Sequence, residues 1–255
     1  MLQKLSWIIL WTCFLMAGCK TQQEYSPADA SPITHEAFTS LLQKHVDENG
    51  NVNYKGFQED QKAFTQYLKK LSNHPPNDTW SREEKLAYWI NAYNAFTVKL
   101  IVDHYPLESI QDLHPTIKIP TVSTVWHKKF FKIGGVETSL NEIEHEILRK
   151  KFDEPRIHFA INCASVSCAP LRSKAYTAAN LDQELTTQAQ NFLSDASKNN
   201  ISKDRVVLSK IFRWFKGDFS ENGSLIEYIN QYTKTNIHPD AEIEYMEYNW
   251  SLNEQ

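Results

Sequence analysis

Residues 36–45 carry apolar side chains at helical spacing. This predicted helix ends before the Asn-Gly pair at 49–50, which is typical of a turn. A second amphipathic helix is predicted over residues 59–72, because the consecutive prolines at 75–76 cannot continue it. The globular part of the chain is therefore expected to open with two helices that each bury one face.

A long buried helix is predicted next. Ser81 and Glu84 have the spacing of a capping box, in which each side chain accepts a hydrogen bond from the other residue's backbone N–H. From Glu84 to Asp103 only two lysines interrupt an uncharged run, and a helix that is apolar on every face is buried. Asn91 and Asn94 lie on one face of this helix. Their amides need partners, since a buried unpaired polar group costs roughly 1–3 kcal/mol.

Shorter elements follow in the second half of the chain. A hairpin with a Gly-Gly turn is predicted over residues 128–138. Ser139 and Glu142 form a second capping box, which opens a helix to about residue 150. Residues 156–162 are predicted to form a buried strand. The last predicted elements are a helix over 180–194, a strand over 205–209, a helix over 224–233 and a strand over 241–250.

This order of elements predicts a helix-rich α+β fold with a small, mostly antiparallel sheet. Only 7 glycines and 12% aromatic residues indicate one packed globular domain, which we place at residues 33–255. No cofactor and no metal are predicted. His145 lacks a second histidine at metal-binding spacing, and residues 47–53 lack the spacing of a calcium loop.

The first 18 residues have the pattern of a bacterial lipoprotein signal peptide. A single positive charge at Lys4 precedes an apolar run of about a dozen residues, which is too short to span a membrane. Small residues then precede Cys19, so signal peptide 1–18 is expected to be removed and Cys19 to be lipidated. Residues 19–32 are polar and are predicted to form a tether.

These features predict an exported protein that is held in the lipid bilayer through Cys19. Lys20 follows the cysteine where an Asp would indicate retention in the inner membrane, so the outer membrane is favoured. Removal of residues 1–18 takes one lysine, which leaves 26 basic and 31 acidic side chains and a net charge of −5. Without a basic excess to neutralise phosphates, nucleic acid is not expected as a partner. The expected partner is an envelope substrate or protein of unknown identity.

Cys163 and Cys168 are the only cysteines outside the leader and its lipidation site. Cys163 follows an apolar segment and enters a loop of small residues, a position that suits a nucleophile beside backbone N–H groups. A thiolate needs a base or a positive neighbour near neutral pH, and His145 is the candidate base. Asn91 or Asn94 is the candidate to orient the imidazole, as an amide does in papain-like sites. This set predicts a cysteine-dependent hydrolase or acyl transferase.

The same residues have a structural interpretation. Cys163 and Cys168 can form a disulfide in the oxidising envelope, provided that the loop between them is tight. His145 can be an ordinary surface residue, since three glutamates between residues 142 and 146 surround it with charge. Under this interpretation the protein is a non-catalytic envelope binding or assembly module whose motifs build a polar core.

Three segments occur in a characteristic order along the chain. They are Trp-Ile-Asn-Ala-Tyr-Asn at 89–94, a Gly-Gly pair followed by Ser-Leu-Asn-Glu-Ile-Glu-His-Glu-Ile-Leu-Arg at 134–149, and Phe-Ala-Ile-Asn-Cys-Ala-Ser-Val-Ser-Cys-Ala-Pro at 159–170. Together they resemble the uncharacterised domain-of-unknown-function family 547. The resemblance runs from about residue 82 to residue 253 and is most specific over 86–172.

The resemblance bears on the candidate residues. The segment at 248–253 is similar to the family's closing motif, where an Asp is expected at the position of Asn249. Related plant domains keep a cysteine at the position of Cys163 and have serine at that of Cys168. This difference favours Cys163 as the functional thiol and argues against an obligatory disulfide. The family has no settled function, so the resemblance implies neither a substrate nor a reaction.

Overall fold

The protein is described by a computed structural model over residues 31–115 and 124–255. The predicted signal peptide, the lipidation site at Cys19 and most of the tether lie outside these residues. Within the described part of the chain, no helix combines the length and the apolar character that a bilayer span requires.

Helices make up most of the described fold. The α-helices are α1 (Glu36–His45), α2 (Tyr54–Glu59), α3 (Gln61–Asn73), α4 (Arg82–Val102), α5 (Arg149–Lys151), α6 (Leu181–Ser194), α7 (Ile211–Trp214), α8 (Lys216–Phe219) and α9 (Leu225–Asn230). A π-helix (Glu142–Leu148) leads directly into α5, and 3₁₀ helices lie at Ile110–Leu113, Val125–His127, Pro155–Phe159 and Ala178–Asn180. The strands are β1 (Phe131–Ile133), β2 (Val136–Thr138), β3 (Asn200–Ile201), β4 (Arg205–Leu208) and β5 (Glu242–Tyr245). The predicted helix-rich α+β fold class is confirmed.

Helix α4 is the centre of the fold. Its N-terminus has the predicted capping box: Glu84 N donates to Ser81 Oγ at 3.1 Å, and Ser81 N donates to a carboxylate oxygen of Glu84 at 2.7 Å. Most of its side chains are buried, and the helix packs against α2, α3 and the π-helix. Asn91 and Asn94 are among the buried side chains, so their amides must find partners inside the protein.

The predicted hairpin is present as the antiparallel pair β1 and β2. Gly134 and Gly135 form its turn with φ values of 59° and 79°, a left-handed conformation that glycine adopts without steric cost. Gly134 N donates to the carbonyl of Ser72 at 2.8 Å, which ties the turn to the end of α3. Phe131 stacks on Phe96 of α4 with ring centroids 3.8 Å apart. The hairpin therefore covers part of the central helix.

The second sheet has the order β3-β4-β5, with β4 antiparallel to β3 and parallel to β5. Strand β5 ends at Tyr245, whereas the sequence predicted a longer strand. After β5 the chain leaves the sheet and lies along the loop that follows Cys163, where Val166 N donates to the carbonyl of Ser251 at 2.9 Å. This departure from the sheet places Tyr248 beside Cys163.

The predicted strand over residues 156–162 is wrong. The segment begins as a 3₁₀ helix at Pro155–Phe159. Pro155 lies in its first turn, where a missing N–H costs nothing, and the Glu154 carboxylate caps the turn by accepting from Arg156 N at 3.3 Å. The backbone groups that a sheet would have paired are bonded instead by buried asparagine side chains, as the candidate site shows.

Candidate functional site

A cavity of about 260 Å³ opens beside Cys163. It lies between the π-helix, the loop after Cys163 and the segment that follows β5. Its walls carry both cysteines, three histidines, one glutamate and a group of aromatic side chains. Cys163 and His145, two of the predicted catalytic residues, are therefore brought to one cavity.

Buried asparagine side chains hold the segment that leads to Cys163. Asn94 Nδ2 donates to the carbonyl of Ala160 at 2.9 Å, and Asn94 Oδ1 accepts from Asn162 N at 2.8 Å. Asn162 Oδ1 accepts in turn from Ala164 N at 2.9 Å. Ala164 has a φ of 59°, a left-handed conformation that is uncommon for a residue with a Cβ. The backbone is thus strained directly after Cys163, and the asparagine bonds maintain the strain.

Asn91 has an equivalent structural role at another loop. Its Nδ2 donates to the carbonyl of Tyr176 at 2.9 Å, and its Oδ1 accepts from Tyr176 N at the same distance. Neither Asn91 nor Asn94 bonds to His145, so the expectation that one of them orients the imidazole is corrected. The reason is that buried amide side chains need hydrogen-bond partners. Here they bond to backbone groups of nearby loops, which have no partners in a helix or a sheet.

The sulfur of Cys163 is surrounded by hydrogen-bonding groups. Cys163 Sγ lies 3.3 Å from Ser165 Oγ and 3.3 Å from Tyr248 Oη, and the two hydroxyl oxygens lie 3.1 Å apart. Burial opposes ionisation of this thiol, and the charge of Glu144 opposes it further. Hydrogen bonds from Cys168 and from the two hydroxyl groups outweigh both effects and lower the pKa of Cys163. Because Cys163 is partly exposed to the cavity, a ligand there can reach this sulfur.

Cys168 has the opposite character. Its side chain is buried, and burial followed by the neighbouring Cys163 sulfur raises the pKa of Cys168 well above its usual value. Its Sγ accepts a hydrogen bond from Cys163 N at 2.9 Å and has a longer contact of 3.8 Å with the carbonyl of Ile161. Both cysteines are free, so the alternative disulfide is absent from the structure. One cysteine is suited to be a thiolate and the other to be its protonated neighbour.

His145 is held in one tautomer by Arg149. Arg149 Nη1 lies 2.8 Å from His145 Nδ1, and a guanidinium can only donate, so Nδ1 is the acceptor. The neutral ring therefore carries its proton on Nε2. Burial lowers the pKa of His145, and the charge of Arg149 lowers it further. Among the described residues no hydrogen bond joins this ring to Cys163, so the predicted Cys163–His145 pair shares a cavity without a hydrogen bond between its members.

Asp218 organises the charges behind His145. It accepts two hydrogen bonds from Arg149, from Nε and from Nη2, each at 2.6 Å, and a third from His158 Nε2 at 2.8 Å. Burial alone would raise the pKa of Asp218, but these bonds hold it well below the usual range. The Phe215 ring stacks on His158 at 3.9 Å and lies 5.0 Å from the Arg149 guanidinium. Arg149 and Asp218 thus neutralise each other beneath the cavity.

Glu144 is an ionisable residue of the cavity that the sequence analysis did not predict as part of the site. Its carboxylate was grouped with the surface charges around His145, yet it is buried on the π-helix and accepts from Tyr93 Oη at 3.2 Å. Burial raises the pKa of Glu144 to about 7, against the opposing effects of Tyr93 and Arg149. A carboxyl group with this pKa exchanges protons near neutral pH. The π-helix explains the error, because its wider turn changes which side chains face the interior.

Aromatic side chains form one wall of the cavity. We call the group of Trp126, Trp214, Tyr248 and Trp250 the aromatic wall. Ring centroids lie 4.7 Å apart for Trp214 and Tyr248, 4.5 Å apart for Tyr248 and Trp250, and 5.7 Å apart for Trp126 and Trp250. Tyr248 joins this wall to the Cys163 sulfur through its hydroxyl group. The signal for Tyr248 and Trp250 in the sequence was their place in the closing motif at 248–253.

A larger open groove of about 740 Å³ lies on the other side of the same loop. It is lined mainly by polar side chains, and among its lining residues are Asn162, Ser165 and Cys168 but not Cys163. We place the candidate site in the smaller cavity, because only that cavity reaches the sulfur with the lowered pKa. Over residues 31–115 and 124–255, no group of three or more metal-ligating side chains is placed to hold a metal ion.

The fold and the cavity define a helix-rich α+β domain with a hydrogen-bonded cysteine at an aromatic-walled site. Residues 77–193 match the model of the family described as "Protein of unknown function, DUF547". Over this segment the match agrees with the resemblance seen in the motifs. The matched segment contains α4, the π-helix and Cys163, whereas Tyr248 lies beyond it. Neither the curated proteins nor the solved structures contain a match to the chain.

Proposed function

We propose that this protein is a cysteine-dependent hydrolase or acyl transferase in which Cys163 is the nucleophile. The observation that carries the proposal is the setting of the Cys163 sulfur. It is partly exposed at a cavity, and hydrogen bonds from Ser165, Tyr248 and Cys168 lower its pKa. A thiol that only fills core space needs neither the exposure nor these neighbours.

Glu144 is the proposed proton carrier. In the reactive state of the proposed mechanism Cys163 is a thiolate and Glu144 is protonated, which suits a carboxyl group whose pKa is about 7. The thiolate attacks the carbonyl carbon of an amide or ester, and the new C–S bond forms as the C–N or C–O bond breaks. The amine or alcohol leaves with the proton of Glu144.

The second half of the reaction restores the reactive state. Water, or a second amine or alcohol, attacks the thioester carbonyl and gives its proton to the Glu144 carboxylate. The C–S bond breaks, and Cys163 leaves as the thiolate. Hydrolysis and acyl transfer differ only in the molecule that attacks the thioester.

His145 changes role in this proposal, from the predicted base to a hydrogen-bond donor. Its Nδ1 already accepts from Arg149, and its Nε2 carries a proton, so the neutral ring cannot take a proton from Cys163 without losing Arg149. An N–H donor in a cavity of this kind stabilises the negative charge that develops on a substrate carbonyl oxygen. Asn91 and Asn94 are positioning residues for the loops and are not part of the proposed catalytic set.

A non-catalytic envelope binding or assembly module is the competing proposal. The observation that favours it is the network of Asn91, Asn94 and Asn162, which builds a polar core without any need for catalysis. In that case the neighbouring sulfurs of Cys163 and Cys168 would be joined as a structural disulfide in the oxidising envelope. In either case we propose that the domain is exported and held at the membrane through lipidated Cys19, on the strength of the leader pattern alone.

Trapping of an acyl-enzyme tests the catalytic proposal. The soluble domain is incubated with p-nitrophenyl acetate and quenched in acid, and intact mass with peptide mapping locates the acetyl group. We expect a transient acetyl adduct on Cys163 that is absent in Cys163→Ala and persists longer in Glu144→Gln. Glu146→Gln is the matched control, since Glu146 is exposed and pairs with Lys150.

Two outcomes would count against the catalytic proposal. One is an adduct elsewhere that Cys163→Ala retains in full. The other is loss of the circular dichroism spectrum in Cys163→Ser, which would identify the cysteine as structural.

A further inference from the structure

We infer that the cavity beside Cys163 binds a neutral aryl group on the acyl part of the substrate, which packs against the aromatic wall. This inference rests on the proposed function and names its substrate class. The cavity volume of about 260 Å³ is smaller than the sites that enclose whole drug-sized ligands, and it suits one ring with its connecting carbonyl.

The position of the aromatic wall is the first argument. Tyr248 contacts the Cys163 sulfur through its hydroxyl group, and its ring packs against both Trp214 and Trp250. A group attached to the carbonyl carbon that Cys163 attacks therefore lies next to these rings. Aromatic pairs gain energy beyond the burial of their area when the rings are offset or tilted.

The exposure of Trp214 is the second argument. Its side chain is 46% exposed, although tryptophan is among the residues that are most buried on average. The Trp214 ring lies nearly parallel to that of Trp250, at 24° and with centroids 5.8 Å apart, and it also packs against Tyr248, which leaves nearly half of its surface uncovered. An apolar face that is open beside a reactive sulfur is the arrangement expected of a substrate contact.

The charge of the cavity is the third argument. Among its described lining residues there is no lysine or arginine. His145 and His158 both have lowered pKa values, each chiefly through burial, so they are neutral near pH 7. Glu144 is the one lining carboxyl group in the described chain, and its charge is zero or negative near pH 7. A neutral acyl group is accepted here, whereas a carboxylate meets no lysine or arginine of the lining and is repelled by ionised Glu144.

Three alkylating agents separate the inference from the proposed function. N-benzyl iodoacetamide carries a neutral aryl group, N-methyl iodoacetamide carries none, and iodoacetate carries a negative charge. The rate of Cys163 alkylation by each agent is measured by mass spectrometry at pH 7 and divided by its rate with glutathione, which removes intrinsic reactivity. We expect the normalised rate for the benzyl agent to exceed that for the methyl agent by about tenfold. Iodoacetate should be the slowest of the three.

Variants of the wall test which surface gives the preference. Trp214→Ala should bring the benzyl-to-methyl ratio close to one, and Trp126→Ala is a second variant should the first fail to fold. Val136→Ala, on the exposed tip of the hairpin with 67% of its surface free, should keep the wild-type ratio.

The two hypotheses fail in different ways. If Cys163 reacts no faster than glutathione with any agent, the hypothesis that Cys163 is an activated nucleophile is wrong, and the inference about the aryl group is wrong as well. If Cys163 reacts fast but the normalised benzyl and methyl rates are equal, Cys163 is an activated nucleophile and the inferred aryl-binding site is wrong. A preference for iodoacetate would likewise overturn the inference alone.

Discussion

Arg149 donates a hydrogen bond of 2.8 Å from Nη1 to Nδ1 of His145. The bond links the last turn of the π-helix to α5 and determines which nitrogen of the ring carries the proton. It turns a residue with the usual chemistry of a base into a neutral donor. A histidine and a cysteine in one cavity are therefore not sufficient to define a catalytic pair.

The first prediction concerns the pKa of His145. Replacement of Arg149 by Met removes a positive charge and frees Nδ1, so the pKa of His145 should rise, because both changes favour the protonated ring. NMR titration of the His145 ring protons measures this value, with Lys150→Met as the matched control for loss of an adjacent exposed cation. An unchanged His145 titration in Arg149→Met would contradict the assigned tautomer.

The second prediction concerns the hydroxyl group of Tyr248. Tyr248→Phe removes one of the donors to the Cys163 sulfur, so the pKa of Cys163 should rise and iodoacetamide labelling at pH 7 should slow. The pH profile of labelling rates from pH 5 to 9 measures the shift. Tyr228→Phe is the control, since Tyr228 packs on Phe219 with ring centroids 5.1 Å apart and does not line the cavity beside Cys163.

The same labelling experiment reports on Cys168. In the native protein Cys168 should remain unlabelled until the domain is unfolded, because it is buried and its pKa is raised. A protein that takes no label at either cysteine until a reductant is added has the Cys163–Cys168 disulfide. That result would favour the binding-module proposal.

The third prediction concerns stability against pH. Burial raises the pKa of Glu144 from its ordinary value of 4.5 to about 7, so the folded state holds this proton more tightly than the unfolded state. Its contribution to stability is complete below about pH 4.5 and is lost as the pH rises through 7. Between pH 5.5 and 8 the free energy of unfolding of the wild-type protein should fall by about 2 kcal/mol because of this residue.

Glu144→Gln isolates that contribution, since an amide keeps a hydrogen-bond acceptor for Tyr93 but does not titrate. Urea unfolding at the two pH values should show that the variant lacks this loss, whereas the exposed Glu146→Gln control retains it. The variant should also label faster at Cys163 while acyl turnover slows, because the charge of Glu144 raises the pKa of Cys163. Equal pH dependence of unfolding in all three proteins would show that Glu144 titrates normally.

The fourth prediction concerns Asn94 as a positioning residue. Asn94→Ala leaves the carbonyl of Ala160 and the N–H of Asn162 without their partner in a buried place. The free energy of unfolding should fall by roughly 2–4 kcal/mol, and Cys163 labelling should slow as the loop loses its geometry. Asn191→Ala, on the exposed face of α6, should change stability by less than about 0.5 kcal/mol. Similar effects of the two substitutions would show that the Asn94 bonds do not hold the loop.

Much of the local structure was readable from the sequence. The spacing of apolar side chains and the capping boxes located α1, α3 and α4, and the Gly-Gly pair located the hairpin. Each of these signals acts within a few residues, which is why pattern analysis recovers them. The strand predicted at 156–162 is wrong because that segment starts as a 3₁₀ helix and its later backbone groups bond to the side chain of the distant Asn94.

By itself the sequence determined the helix-rich α+β class, the segment that is similar to the DUF547 family and the small number of residues with reactive side chains. Tertiary structure alone decided what those residues do. Asn94 is separated from Asn162 by 68 positions, Arg149 from Asp218 by 69 and Cys163 from Tyr248 by 85. The burial, the tautomer and the pKa of each side chain depend on which of these distant groups come into contact. The spacing of residues along the chain does not indicate those contacts. Only the folded protein therefore distinguishes the cysteine whose pKa is lowered from the one whose pKa is raised.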